Sequence, residues 1–303
     1  RYKQLIRFCK STAGNQDVQG MVLRAKSEII NIDYWELSCD DLNQKVENII
    51  KAIPVIEQDS GEDIICGYLN LLNRKMVVAL LKEDFKLAEQ IFKENTSEIN
   101  RLNRKEYAGY LYMDFAKGIY NCDPVKALKY MENAQEIFQE LNTEYRRLLD
   151  CNCEVEYLKC LTSDKPDFSK LEEAATTLRD NQYFELYSKA ELKLAALKLT
   201  KGRENYSESD IEQDIYLSEY VLDYTATGRL LLFQVMIKNA FRIFCNKPYD
   251  RIKLTAAENK LLNNMGNDFQ QIWKLNENGI KRFVQIGTEN QSSNVYVIDS
   301  RIW

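Results

Sequence analysis

Apolar residues recur at helical spacing through almost the whole chain, and one short signature recurs with them. Residues 81–95, LKEDFKLAEQIFKEN, place the pair Asp84-Phe85 before Ala88 and Phe92. NCDPVKALKYMENAQEIF repeats the pattern with Asp123, Pro124, Ala127, Tyr130, Met131 and Ala134. KPDFSKLEEAATTL repeats it with Asp167, Phe168, Leu171 and Ala175. Ala88, Ala127 and Leu171 lie 39 and 44 residues apart. Each signature follows an apolar segment of helical period: GEDIICGYLNLLNRKMVVALL, RKEYAGYLYMDFAKGIY and EYRRLLDCNCEVEYLKCL. Asp123 is placed to cap a helix N-terminus, and Pro124 falls where a first-turn proline is tolerated. A small residue one turn in lets a second helix approach, and Phe92 or Met131 one turn later fills the space beside it. Each unit therefore reads as a helix hairpin. One hairpin cannot bury both of its apolar faces, so several must stack.

At these residues the chain resembles the tetratricopeptide-repeat family. Ala88 and Phe92 match the second helix in one unit, Ala127 and Ala134 in the next, and Asp84-Phe85 matches the preceding turn. The resemblance covers residues 60 to 180. The first helices depart from the pattern, with Met76 and Phe115 at the expected small positions, and the spacing exceeds the family's roughly 34 residues. The resemblance implies an all-α, right-handed α-solenoid of stacked hairpins. It also implies that first helices line a concave face, which places Asn70, Asn73, Tyr112 and Glu156 on a ligand- or partner-binding wall.

Helical periodicity continues on both sides. DVQGMVLRAKSEIINI and SCDDLNQKVENIIKAIPVI are amphipathic; Ser38 or Asp40 is placed to cap the latter, and Pro54 to end or kink it. NQYFELYSKAELKLAALKLT, SESDIEQDIYLSEYVLDYT and TGRLLLFQVMIKNAFRIFC follow, with Gly202 and Gly228 between segments. A longer helix starts near Thr255. Residues 281–286 and 295–298 are β-prone, joined by polar residues 287–294, and predict a short C-terminal β-hairpin. It either closes the solenoid or offers an edge to another chain. The expected organisation is residues 1–58 as N-terminal helices continuing from an upstream part, 59–200 as repeats, 201–278 as C-terminal helices and 279–303 as the hairpin.

Composition fits a helical, water-soluble chain. Of 303 residues, 45% are apolar and 29% charged; four prolines and eleven glycines are too few for a sandwich or barrel. The net charge of −5 with interspersed signs gives no polybasic nucleic-acid surface. No run approaches the ~18 apolar residues of a membrane span. Arg1 in place of Met, followed by the helical RYKQLIRF, leads us to expect a piece of a longer protein. Three sequons, at Asn95, Asn205 and Asn290, are expected by chance in such a composition.

Candidate chemistry is sparse. Histidine is absent, which removes the commonest general base and metal ligand. Among eight cysteines, Cys151, Cys153 and Cys160 come nearest to a metal set, but a fourth ligand is missing and Cys151 is off the face that the other two share. Buried, reduced thiols of a cytoplasmic protein are the expected reading. Adjacent acids such as Glu154 with Glu156, or Glu172 with Glu173, are expected on a solvated face. No GxxxxGK[ST] or GxGxxG loop occurs. The 18 tyrosines, crowded at Tyr107, Tyr110, Tyr112 and Tyr120 and at Tyr183, Tyr187, Tyr216, Tyr220 and Tyr224, serve either helix packing or a recognition groove.

These readings predict macromolecular recognition, with no enzyme activity in this segment, no cofactor and no metal. The expected partner is a protein or peptide, with no nucleic acid and no membrane, and with homo-oligomerisation open through upstream domains. The Ile, Lys, Asn and Tyr richness resembles chains of low-GC bacteria. The layout resembles the helical-repeat sensors that follow the nucleotide-binding domain of signal-transduction (STAND-type) ATPases, including antiphage defence proteins. The alternative is a peptide-responsive regulator similar to the quorum-sensing receptors built on tetratricopeptide repeats, with Asn70, Asn73 and Asn152 fixing a short peptide.

Overall fold

A computed structural model of the chain describes residues 16–33, 39–53, 55–120, 122–142, 144–201 and 209. Among these, nine helices follow one another: α1 (Gln16–Asp33), α2 (Cys39–Lys51), α3 (Glu62–Leu81), α4 (Phe85–Arg101), α5 (Lys105–Ile119), α6 (Pro124–Leu141), α7 (Tyr145–Thr162), α8 (Ser169–Asp180) and α9 (Phe184–Lys201). No strand occurs among the described residues. The expected C-terminal hairpin, the helices expected over 202–278, Pro54, Ser38 and Tyr216, Tyr220 and Tyr224 lie outside them.

The helices fall into two compact units, α1–α5 and α6–α9. Within each unit successive helices pack on one another, and next-but-one packing joins α1 to α3, α3 to α5 and α7 to α9. Stacked hairpins produce this pairing, and it is compatible with a helical-repeat fold.

In the first unit α3 is the hub, touching α1, α2, α4 and α5. Leu23, Ile30, Leu42, Val46, Leu71 and Val78 form a core there, with Ile49, Ile50, Ile64 and Tyr68 packed against it. Two glycines bring α1 and α3 together. A methyl group on Gly67 would lie 2.8 Å from Leu23 Cγ and 3.0 Å from the Arg24 backbone nitrogen. One on Gly20 would lie 2.8 Å from Asp63 Cβ. Each glycine thus faces the other helix, and their bareness sets the separation.

The recurring signature does what its chemistry requires. Ala88, Ala127, Ala134, Leu171 and Ala175 are fully buried. Phe92 stacks on Phe115 at 4.7 Å and meets Tyr112 edge-on at 5.3 Å. Asp84 accepts from the Leu87 backbone N–H at 3.0 Å, and Asp123 from that of Lys126 at 2.9 Å with Pro124 in the first turn. The third unit differs by one residue. Phe168 is the capping position of α8, and Asp167 accepts instead from the Ser169 N–H and hydroxyl. Burial of Phe168 accounts for the shift, because its ring goes into the core while Phe85 stays partly exposed.

Three connections share one geometry. Glu83, Asn103 and Gln182 each sit alone in the left-handed region, at φ 58°, 54° and 63°. Each is followed by a six-to-one backbone bond: Asp84 N–H to Ala79 O, Arg104 N–H to Ile99 O and Tyr183 N–H to Leu178 O, at 3.0, 3.1 and 2.9 Å. These are Schellman closures built without glycine. The helix ends and its successor begins within three residues, which fixes the hairpin at α3–α4, α4–α5 and α8–α9.

Candidate recognition cleft

In the second unit α7 lies between α6, α8 and α9 and is buried on most of its circumference. Leu149, Cys151, Cys153, Val155, Tyr157, Leu158 and Cys160 all face the interior. Cys151 therefore joins Cys153 and Cys160 in the core, although the helical wheel put it on another face. The extra face is covered because α7 is central. None of the three is in a disulfide, and Cys160 donates to the Asp167 carbonyl at 3.3 Å. Cys66 is half-buried beside Glu62, and burial pushes its thiol up. Cys122 is exposed. Among the described residues no group of three or more Cys, Asp or Glu side chains could hold a metal ion.

The remaining strip of α7 floors an open cleft of about 470 Å³. Leu148, Leu149, Asn152 and Glu156 come from α7 at one-turn intervals. Gln135 and Gln139 of α6 form one wall; Lys170, Glu173, Ala174 and Thr177 of α8 form the other. Gln135 Nε2 donates to Asn152 Oδ1 at 2.8 Å. Glu156 receives the Lys159 ammonium at 2.8 Å. The Thr177 hydroxyl donates to the Glu173 carbonyl at 2.9 Å. The cleft offers carboxamides that both donate and accept, two carboxylates, one ammonium and short apolar stretches. That set suits hydrogen-bonded recognition of a polar chain.

Beneath this floor a charged cluster runs through the interior. Lys193 of α9 bonds both oxygens of Glu154 at 2.5 and 2.6 Å, with both side chains almost fully enclosed. The ammonium lies 4.9 Å from the Tyr157 ring centre and 5.8 Å from that of Tyr120, and the two rings meet edge-on. Outside the interior pair, the buried Lys198 reaches Glu172, whose side chain is 45% exposed, at 3.0 Å. Glu154 is thus an interior anchor, where a solvated face was expected for the Glu154/Glu156 pair. The two acids point in different directions, as residues two apart on a helix must, but α9 covers the Glu154 side.

The four residues assigned to a concave wall have these surroundings: Asn70 and Asn73 line one small cavity, and Tyr112 and Glu156 are not among its lining. Asn73 is buried at 8% exposure, and its Nδ2 donates to Asp114 Oδ2 at 2.6 Å. It shares an internal cavity with the half-buried Asn70. Tyr112 is half-buried against Phe92. Glu156 stands in the cleft of the other unit. Of the tyrosines, Tyr120, Tyr157 and Tyr187 are core residues, and burial pushes the Tyr187 phenol up to about 12. The Asn95 sequon is also internal: Asn95 is buried and donates to the Leu72 carbonyl at 2.9 Å.

Sequence reading missed Gln135, Gln139, Lys170 and Thr177. Their signal was available as one-turn pairs of polar residues on helices whose other faces are apolar. A further open cleft of about 510 Å³ lies between α1 and α2, lined by Lys26, Asp41, Gln44, Lys45 and Asn48 among others. It holds none of the sequence candidates. No helix among the described residues is long and apolar enough to cross a membrane. Comparison with protein-family models, with curated proteins and with solved structures finds no match.

Proposed function

We propose that this chain is a right-handed, tetratricopeptide-like solenoid that recognises a protein or peptide, acting as the sensing or partner-binding region of a larger bacterial protein. The observation that carries this reading is the cleft on α6, α7 and α8. Its polar groups converge from three helices onto a volume within the range of ligand sites, about 300–1,000 Å³. Its chemistry is hydrogen bonding and charge, with nothing among its lining residues arranged as a nucleophile and base. A STAND-type context, including antiphage defence, fits a sensor of this kind, with the catalytic work done by an upstream nucleotide-binding domain. The chain itself is then cytoplasmic and needs no cofactor.

The second reading is a receptor for a short peptide of the quorum-sensing type. The Gln135–Asn152 carboxamide pair favours it, since side-chain amides satisfy both donors and acceptors of an extended backbone. Capture from the native host separates the two. The whole chain is used as bait, with and without phage infection, and with conditioned stationary-phase medium. A specific protein retained only on infection supports the sensor; a short peptide retained from medium supports the receptor. In either case Glu173→Lys or Asn152→Ala should abolish retention without altering the far-ultraviolet circular dichroism. Retention that both variants leave unchanged would remove the cleft from the reading.

A further inference from the structure

A small cavity lies where α3, α4 and α5 meet. It measures about 10 Å³ and is lined by Asn70, Asn73, Asn95, Tyr107 and Tyr110 together with aliphatic side chains. That is close to the space one water molecule needs, and too small for a methyl-bearing ligand. Asn73 supplies the second observation. Its Nδ2 is engaged with Asp114, while its Oδ1 is fully enclosed and accepts no hydrogen bond from the protein. Reversing the carboxamide does not relieve this, because Oδ1 would then face the Asp114 carboxylate, acceptor against acceptor. Asn73 Oδ1 therefore needs a donor, and a buried acceptor left without one costs free energy.

No donor lining the cavity bonds Asn73 Oδ1. Asn95 Nδ2 donates one of its two protons to the Leu72 carbonyl at 2.9 Å and keeps the other. A water needs two to four polar partners, and three carboxamides line this space. A bare cation does not suit it, since no carboxylate lines the cavity to balance the charge.

We propose that this cavity binds one internal water molecule, which donates to Asn73 Oδ1 and accepts from the carboxamides of Asn70 and Asn95. The water ties α3 to α4 at the point where Asn73 ties α3 to α5. Asn70 and Asn73 then serve internal hydration rather than a ligand wall. The inference is independent of the recognition cleft.

The test is water–protein nuclear Overhauser and rotating-frame spectroscopy on the whole nitrogen-15-labelled chain. The expected result is a cross-peak at the solvent frequency to the Asn73 and Asn95 side-chain amide protons, with the sign of a long-lived bound water. Asn73→Leu should remove the Asn95 cross-peak. Wild-type protein lacking any such cross-peak would overturn the proposal. So would a high-resolution crystal structure in which a protein donor bonds Asn73 Oδ1 directly. Both wild-type results decide the matter even if the variant does not fold.

Discussion

Replacing Lys193 by methionine should be among the most damaging single changes in the second unit. Lys193 is 3% exposed and the Glu154 side chain 9%, and the ammonium bridges both carboxylate oxygens at 2.5 and 2.6 Å. Methionine fills a similar volume but leaves the Glu154 charge enclosed without its counter-ion. Breaking a buried pair from one side costs about 3–5 kcal/mol. Loss of the ammonium above the Tyr157 face at 4.9 Å adds to this, on the order of 1–2 kcal/mol. Removing both charges is a different experiment. The double variant Lys193→Met, Glu154→Leu no longer strands a charge, and such replacements are often neutral or stabilising by about 1–4 kcal/mol. Urea unfolding of the four proteins of the cycle, followed by circular dichroism and by hydrogen exchange of α7 and α9 amides, reads both quantities. The expected coupling is several kcal/mol, with the double variant more stable than either single one. A Lys193→Met cost below about 1 kcal/mol, or single effects that simply add, would refute the enclosure of this pair.

Three further outcomes follow from particular contacts. Gly67→Ala should destabilise the first unit by about 1–3 kcal/mol, because the new methyl meets α1 backbone that cannot swing aside; thermal unfolding checks it. Gln182→Gly should stabilise the chain by up to about 1 kcal/mol, since it relieves a left-handed side chain on an exposed turn; a shift of the urea midpoint to lower concentration would contradict the assigned geometry. Glu98 is held below the usual carboxylate range, first by its hydrogen bonds from Arg101 at 2.8 and 3.1 Å and further by the Tyr68 hydroxyl. A lowered folded value means that this contribution is complete above the ordinary glutamate range and is lost as pH falls through the lowered one. Carbon-13 titration should find the Glu98 midpoint low in wild type and raised in Arg101→Ala.

Much of the helical layout was legible before any coordinates. Segments of apolar period predicted α1 to α9 within a few residues, because each helix hides one stripe and the stripe writes itself into the spacing. Capping was legible at Asp123, where a carboxylate must meet orphan N–H groups and Pro124 marked the helix start; Asp84 was read only as part of a turn, and its capping bond emerged from the structure. The three Schellman turns were not legible: glycine advertises a left-handed residue, and here Glu83, Asn103 and Gln182 take its place. Nor was the role of Gly20 and Gly67, since a close approach involves two helices far apart in sequence.

The candidate site divides in the same way. Sequence alone determined that α7 is helical, that it carries Asn152 and Glu156 on one strip, and that Glu154 points elsewhere. Only the tertiary structure decided what each strip meets. α9 closes over Glu154 with a lysine 39 positions away, while α6 and α8 leave Glu156 at the floor of a cleft. The same decision enclosed Asn73 by laying Asp114 of α5 against it. Periodicity records which residues share a face. Whether that face receives solvent, a partner or another helix depends on neighbours that only packing brings near.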